Sequence, residues 1–275
     1  MDEDRLPFSS LAQTAQDVVR ASYPEEKMRL AKLAGDAWRK RKLSRGTRAS
    51  VRAMPEMPGR PEKPVLLAPR EMPKRSASGE RGRFALVHSL AHIELNAIDL
   101  TWDLLARFFD APMPRSFLDD WVNVGLDEAR HFGLLQRRLE KLGGNYGDLP
   151  AHHGLWEAAQ ETGHCLRARL AIVPLVLEAR GLDVTPSMMV KAESAGDHET
   201  AQILSTIYHD EKRHVAFGAK WFRYVCEREG ITPEPEFQHL VRKHFKGALK
   251  PPFNDKARSE AGLTPGFYKP LAALV

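Results

Sequence analysis

The chain has 275 residues, 43% of them hydrophobic and 28% charged, so it is long enough for one large domain or two small ones around a sizeable core. It has two cysteines, Cys165 and Cys226, far apart and without a C-x-x-C, which excludes a zinc ribbon, a rubredoxin-type iron site, a thioredoxin-type redox pair and a disulfide scaffold. The net charge of +5 belongs to the N-terminal part: residues 1–80 carry 17 Lys and Arg against 11 Asp and Glu, whereas residues 81–275 carry 24 against 25.

Residues 1–54 predict a basic helical arm with amphipathic helices over 8–22 and 24–42. Pro24 suits a first helical position, and Glu25 and Glu26 suit that end of the helix dipole. The N-terminal stretch MDEDRLPFSS is acidic and lacks the apolar run of a signal peptide. No segment approaches the ~20 apolar residues of a membrane helix. No membrane association and a cytoplasmic location are expected. The densest positive run, WRKRKLSRGTRASVR at 38–52, holds seven basic residues and no acidic one. It suits either a solvated helix end and loop or a surface for nucleic acid, and no nucleic-acid fold motif accompanies it.

Residues 55–80 form a proline-rich connector. Six prolines between 55 and 73 forbid a helix and predict an extended strap on the surface or across to a neighbouring subunit. Residues 81–229 predict the core, with long helices at 82–109, 115–142, 155–181 and 197–229. Breaks carrying Gly or Pro are expected at 110–116, 143–154 and 181–186, with a short extra helix at 187–195. Strand signals are weak, so the fold class is all-α. Residues 230–275 predict a further helix at 233–247 and a loop-rich tail wrapped on the surface.

Two segments in the core carry chemistry. DEARHF at 127–132 and DEKRHV at 210–215 both read D-E-x-R-H followed by an apolar residue. Glu and His at i and i+3 lie on one helix face, the spacing with which a bundle offers a carboxylate and an imidazole to one metal. With 21 Glu and 11 His in the chain, about one E-x-x-H pair is expected by chance. The chain has four, Glu161/His164 and Glu236/His239 being the others. Only the first two share the flanking Asp and Arg, and each follows another helical glutamate at nearly one distance. Glu94 precedes Glu128 by 34 residues, and Glu178 precedes Glu211 by 33.

The halves also align as a repeat. Superposing Glu94 on Glu178 brings Arg83 onto Arg167, Leu86 onto Leu170 and Asp99 onto Asp183. The candidate ligands are therefore Glu94, Glu128, His131, Glu178, Glu211 and His214. They double as the candidate catalytic residues. Four carboxylates and two imidazoles with no thiolate suit iron or manganese, and six ligands leave positions for water, O2 or substrate. Asp127 and Asp210 are candidates to hold a histidine N–H, with Arg130 and Arg213 pairing with those aspartates. Gly125 and Tyr208 stand three residues before a ligand glutamate and should face the metal cavity. His88 and His92 point off the face of Glu94 and read as packing residues.

The set Glu94, Glu128-x-x-His131, Glu178, Glu211-x-x-His214 resembles the ferritin-like di-iron carboxylate superfamily, and the D-E-x-R-H wording is similar to its oxygenase members, including the bacterial multicomponent monooxygenases. The whole chain, with ASGERGRFALVHSLAHIELNAIDL at 77–100 and PPFNDKAR at 251–258, resembles an uncharacterised bacterial family, domain-of-unknown-function family 455. That family is similar to the tRNA hydroxylase acting on isopentenylated adenosine. The resemblance implies a ferritin-like four-helix bundle, two iron ions (with Fe/Mn as the variant) and O2 as co-substrate. The absence of a Rossmann or P-loop glycine motif implies a separate electron donor. The resemblance, together with the basic run, further allows a transfer-RNA partner through 38–52. A monomer or small homo-oligomer is expected. The alternatives are an iron-handling ferroxidase or peroxidase, and a non-enzymatic binding module with a structural metal site.

Overall fold

A computed structural model describes residues 10–73, 79–152 and 154–273. The first two residues of the helix expected at 8–22, the acidic N-terminal stretch up to Ser9, and His153 lie outside the described residues. Among the described residues the protein is all-α; pairing of β type is confined to isolated bridges such as Leu66 with Ala151. No helix among them is long and apolar enough to cross a membrane. The chain divides into two compact units, Met1–Trp156 and Glu157–Val275.

The first unit is built on α1 (Leu11–Arg20), α2 (Pro24–Arg39), α3 (Gly79–Phe108) and α4 (Arg115–Lys141). The Ser10 hydroxyl caps α1 by accepting from the Gln13 N–H at 3.3 Å. The turn at 109–114 folds α3 and α4 into an antiparallel hairpin, with Trp102, Phe109, Phe117 and Trp121 fully buried around it. The arm helices belong to this unit: α1 lies against α3, and α2 against α4. Lys27 on α2 is fully buried, and its ammonium donates to the carbonyls of Val18 and Val19 at 3.0 Å and to Asp99 on α3 at 2.5 Å. One side chain thereby ties α1, α2 and α3 together.

Part of the basic run is balanced inside the unit. Arg48 forks onto Asp110 at 2.5 and 2.7 Å, and Arg39 donates to Asn123 at 2.7 Å. Among its described residues up to Pro73 the strap contains no α-helix, as its prolines require, and has a short 3-10 turn at Pro69–Glu71. Residues 74–78 of the expected connector lie outside the described residues, and its last two belong to α3. The Gly59 N–H donates to the Val19 carbonyl at 2.8 Å, and a Cβ at 59 would stand 2.1 Å from the Arg20 oxygen, so only glycine allows this approach. Further along, the Ala151 N–H donates to Val65 and the Leu67 N–H to Ala151.

The second half departs from the expected four long helices. In place of one helix over 155–181 there are α5 (Gly154–Thr162), α6 (Leu166–Ile172) and a π-helical turn at Val173–Glu178. The break after Thr162 is held by the buried Arg169, which donates to the Thr162 hydroxyl and, at 2.7 Å, to the Ala159 carbonyl. A guanidinium thus takes up the acceptors freed at the helix end.

The break expected at 181–186 is absent. A single helix, α7 (Ala179–Ser194), runs through it with Pro186 inside, and the short extra helix at 187–195 is part of α7. Pro186 has no N–H for the Leu182 carbonyl. The Asn254 side-chain amide donates to that carbonyl at 3.2 Å instead. A tail residue therefore repairs the ladder that the proline interrupts. α8 (His198–Arg228) completes the hairpin with α7, and α9 (Pro233–His244) follows. The tail is more ordered than expected: it carries α10 (Asp255–Glu260), α11 (Pro265–Tyr268) and a 3-10 turn at Lys269–Leu271, and Leu263, Phe267 and Tyr268 are buried rather than laid on the surface.

Candidate metal centre

In the first unit the α3–α4 hairpin places Glu94 opposite Glu128 and His131. Two antiparallel helices joined by a short turn bring residues equidistant from it to one height, and the midpoint of 94 and 128 falls in that turn. Each of the three offers a ligand atom, and these atoms lie within 4.8 Å of one another. All three are buried, Glu128 and His131 completely. The His131 Nδ1 lies 3.3 Å from Glu94 Oε2 and 3.5 Å from Glu128 Oε2. Burial pushes the Glu94 carboxyl up to about 8, the Glu128 carboxyl adds to the rise, and His131 opposes it. Two carboxylates and an imidazole meeting out of water are costly unless protons or a cation join them.

In the second unit Glu178, Glu211 and His214 form the matching set, again with ligand atoms within 4.8 Å of one another. Glu211 and His214 are buried on α8, and Glu178 is half-buried. Glu178 is the last residue of the π turn. A π turn inserts extra backbone into a helix and re-aims the side chains that follow it. Sequence reasoning missed this turn; the signal was Pro174 inside an apolar helix, where one ladder donor is lost. Gly218 on α8 makes room for that proline, since a Cβ there would lie 2.5 Å from the Pro174 Cβ.

The flanking residues fall as follows. Arg130 pairs with Asp127 at 3.2 Å and Arg213 with Asp210 at 3.0 Å, each one turn apart on its own helix. Gly125 does not open onto a metal cavity. It faces the Trp102 indole, and a Cβ at 125 would lie 2.7 Å from Trp102 Nε1. Gly181 faces one of the candidate ligands: a Cβ there would stand 3.9 Å from Glu211 Cγ. The Tyr208 hydroxyl accepts from the Asn254 amide at 3.2 Å and so meets the tail. His88 and His92 are buried packing residues: His88 Nε2 accepts from the Gly147 N–H, and His92 lies between the Tyr146 hydroxyl and the His152 carbonyl.

The donor chemistry fits hard or borderline metal ions: each set supplies two carboxylates and one imidazole with no sulfur. A group of ligand atoms 4.8 Å or less apart can close on one ion by side-chain rotation. Comparison with known proteins agrees in the family and is silent on activity. The chain is 41% identical over 213 residues to an uncharacterised protein of Haemophilus influenzae, covering 74% of this chain and 73% of that one. No solved structure matches it. Residues 20–269 match the family described as protein of unknown function DUF455, and the chain belongs to that family.

Proposed function

We propose that the protein is a ferritin-like di-iron carboxylate protein that carries out an O2-dependent oxidation, with hydroxylation as the preferred reaction. The observation that supports this reading is the pair of matched sets, Glu94, Glu128 and His131 in one unit and Glu178, Glu211 and His214 in the other. Each set would hold one metal ion, and the six ligands leave coordination positions open. When bound, a pair of iron ions supplies the binding of O2 and its two-electron reduction. The residues of the chain hold the ions, fix the imidazoles and keep water from the carboxylates. Electrons come from a separate donor, because the chain has no nucleotide-binding glycine motif.

Exposed Lys40 and Lys42 suit a polyanionic partner, which in the resemblance is a transfer RNA, while Arg48 is already engaged by Asp110. A cytoplasmic location and a monomer or small homo-oligomer belong to the same reading.

The test is O2 uptake by iron-loaded protein with a chemical reductant, for the wild type, Glu128→Ala and His214→Ala. The reading expects uptake in the wild type and its loss in both variants, with the helical circular dichroism unchanged. Retention of two irons per chain by both variants would overturn the ligand assignment.

A further inference from the structure

A cavity of about 320 Å³ lies within the first unit between the strap, α3 and the loop after α4. Its apolar wall is Val65 and Leu66 of the strap with Leu95 of α3, flanked by strap prolines; its polar groups are Arg60, Glu62 and the Tyr146 ring. Leu95 faces it from the fully packed side of α3, only 1% exposed, whereas Val65 at the rim is 59% exposed.

Arg60 is the unusual member. Its Nη2 donates to the Asn96 side-chain oxygen at 2.8 Å, and its Nε is buried with no hydrogen-bond partner. Among the described residues no carboxylate hydrogen-bonds to it, although the buried Asp99 carboxylate, held by Lys27, lies near enough to feel its charge. A half-buried guanidinium held by one neutral acceptor keeps donors for an anion, and its planar fork matches a carboxylate. Asn96 is in turn fixed by donating to the His92 carbonyl at 2.7 Å, so the guanidinium is anchored from behind. Glu62 sets the charge limit. It is exposed at the cavity and repels a dianion more than a monoanion. The volume is at the small end of ligand pockets, which bury most of a compact ligand against apolar walls.

We propose that this cavity binds a small organic monocarboxylate with an apolar body, Arg60 holding the carboxylate while Val65, Leu66 and Leu95 enclose the body. This site is separate from the metal ligands and does not depend on the metal reading.

The test is calorimetric titration of the full-length protein with hexanoate and benzoate, with 1-hexanol and inorganic phosphate as controls. Saturable binding of the carboxylates is expected, with hexanol and phosphate much weaker. Arg60→Gln should weaken carboxylate binding about tenfold or more, the loss of a charge-assisted hydrogen bond. Val65→Trp should block the mouth from an exposed position where folding is not at stake. Glu62→Gln should narrow the gap between carboxylate and phosphate. No saturable binding in the wild type, equal binding by Arg60→Gln and Val65→Trp, or preference for hexanol or phosphate would overturn the proposal.

Discussion

Asp183 receives both arms of the Arg258 guanidinium, at 2.8 and 2.6 Å, and both side chains are almost wholly buried. Its counterpart in the repeat, Asp99, receives the Lys27 ammonium at 2.5 Å, also fully buried. The aspartates align when Glu94 is placed on Glu178, and each anchors a cation from outside its hairpin: Lys27 from the arm, Arg258 from the tail. Breaking such a pair strips a buried carboxylate of its main cation, which costs about 3–5 kcal/mol where no other partner remains; Asp183 keeps Arg180 at 3.3 Å and the Asn254 N–H at 2.9 Å. Lys27→Met should lose stability on that scale in urea unfolding, and Arg258→Met should lose less, because Arg180 and the Asn254 N–H still face Asp183. The doubly apolar Lys27→Met/Asp99→Leu should recover most of the loss. A single-variant loss below about 1 kcal/mol would show that these pairs do not anchor the arm and tail.

The repeat explains how much of the molecule could be read beforehand. The α3–α4 hairpin was legible because its turn, 110-DAPMPRS-116, is punctuated by proline and because 94 and 128 are equidistant from it. The second hairpin was not, because Gly181 and Pro186 read locally as breakers while the compensating groups lie far along the chain. Asn254 takes the Leu182 carbonyl, 72 residues away. The packing of the arm on α3 and α4 was hidden likewise, since a lysine in a basic helix gives no local sign of a buried aspartate partner. The two Glu/His groups were legible because helical spacing alone fixes E-x-x-H on one face. The role of Gly125 was misread because equivalence in the repeat said nothing of Trp102.

The two glycines near the ligands should behave oppositely. Gly125→Ala drives a methyl into the rigid indole of Trp102 and should cost about 1–3 kcal/mol. Gly181→Ala meets Glu211 at ordinary contact distance and gains helix propensity, so it should be neutral or stabilising by up to about 1 kcal/mol. Urea midpoints of the two metal-stripped variants decide this; equal destabilisation would contradict the assigned packing.

Stability should fall in acid through His92. Burial holds its imidazole at about 4, against an ordinary 6.5, with the hydrogen bond to the His152 carbonyl opposing the shift. The unfolded chain therefore binds more protons between these values. Stability from this group is complete above about pH 6.5 and is lost as the pH falls toward 4, on the order of 3 kcal/mol in all. In chelator-treated protein, His92→Gln should lack this part of the loss between pH 7.5 and 4.5. An identical pH profile in both proteins would remove His92 as the cause.

The two cysteines should differ in reactivity. Cys226 is fully buried on α8, and burial pushes its thiol up to about 11, whereas Cys165 is half-buried at the start of α6. Iodoacetamide at pH 8 on native protein should label Cys165 and spare Cys226, with both labelled in urea. Rapid native labelling of Cys226 would contradict the packing of α8 against its neighbours.

The central claim is that Glu94, Glu128 and His131, with Glu178, Glu211 and His214, hold two metal ions that react with O2. The most direct measurement is metal content with Mössbauer spectroscopy on protein grown in iron-57, before and after reduction and exposure to O2. The account predicts two irons per chain, antiferromagnetically coupled when oxidised and reoxidised by O2 after reduction. One unreactive ion, or less than one metal per chain, would contradict it.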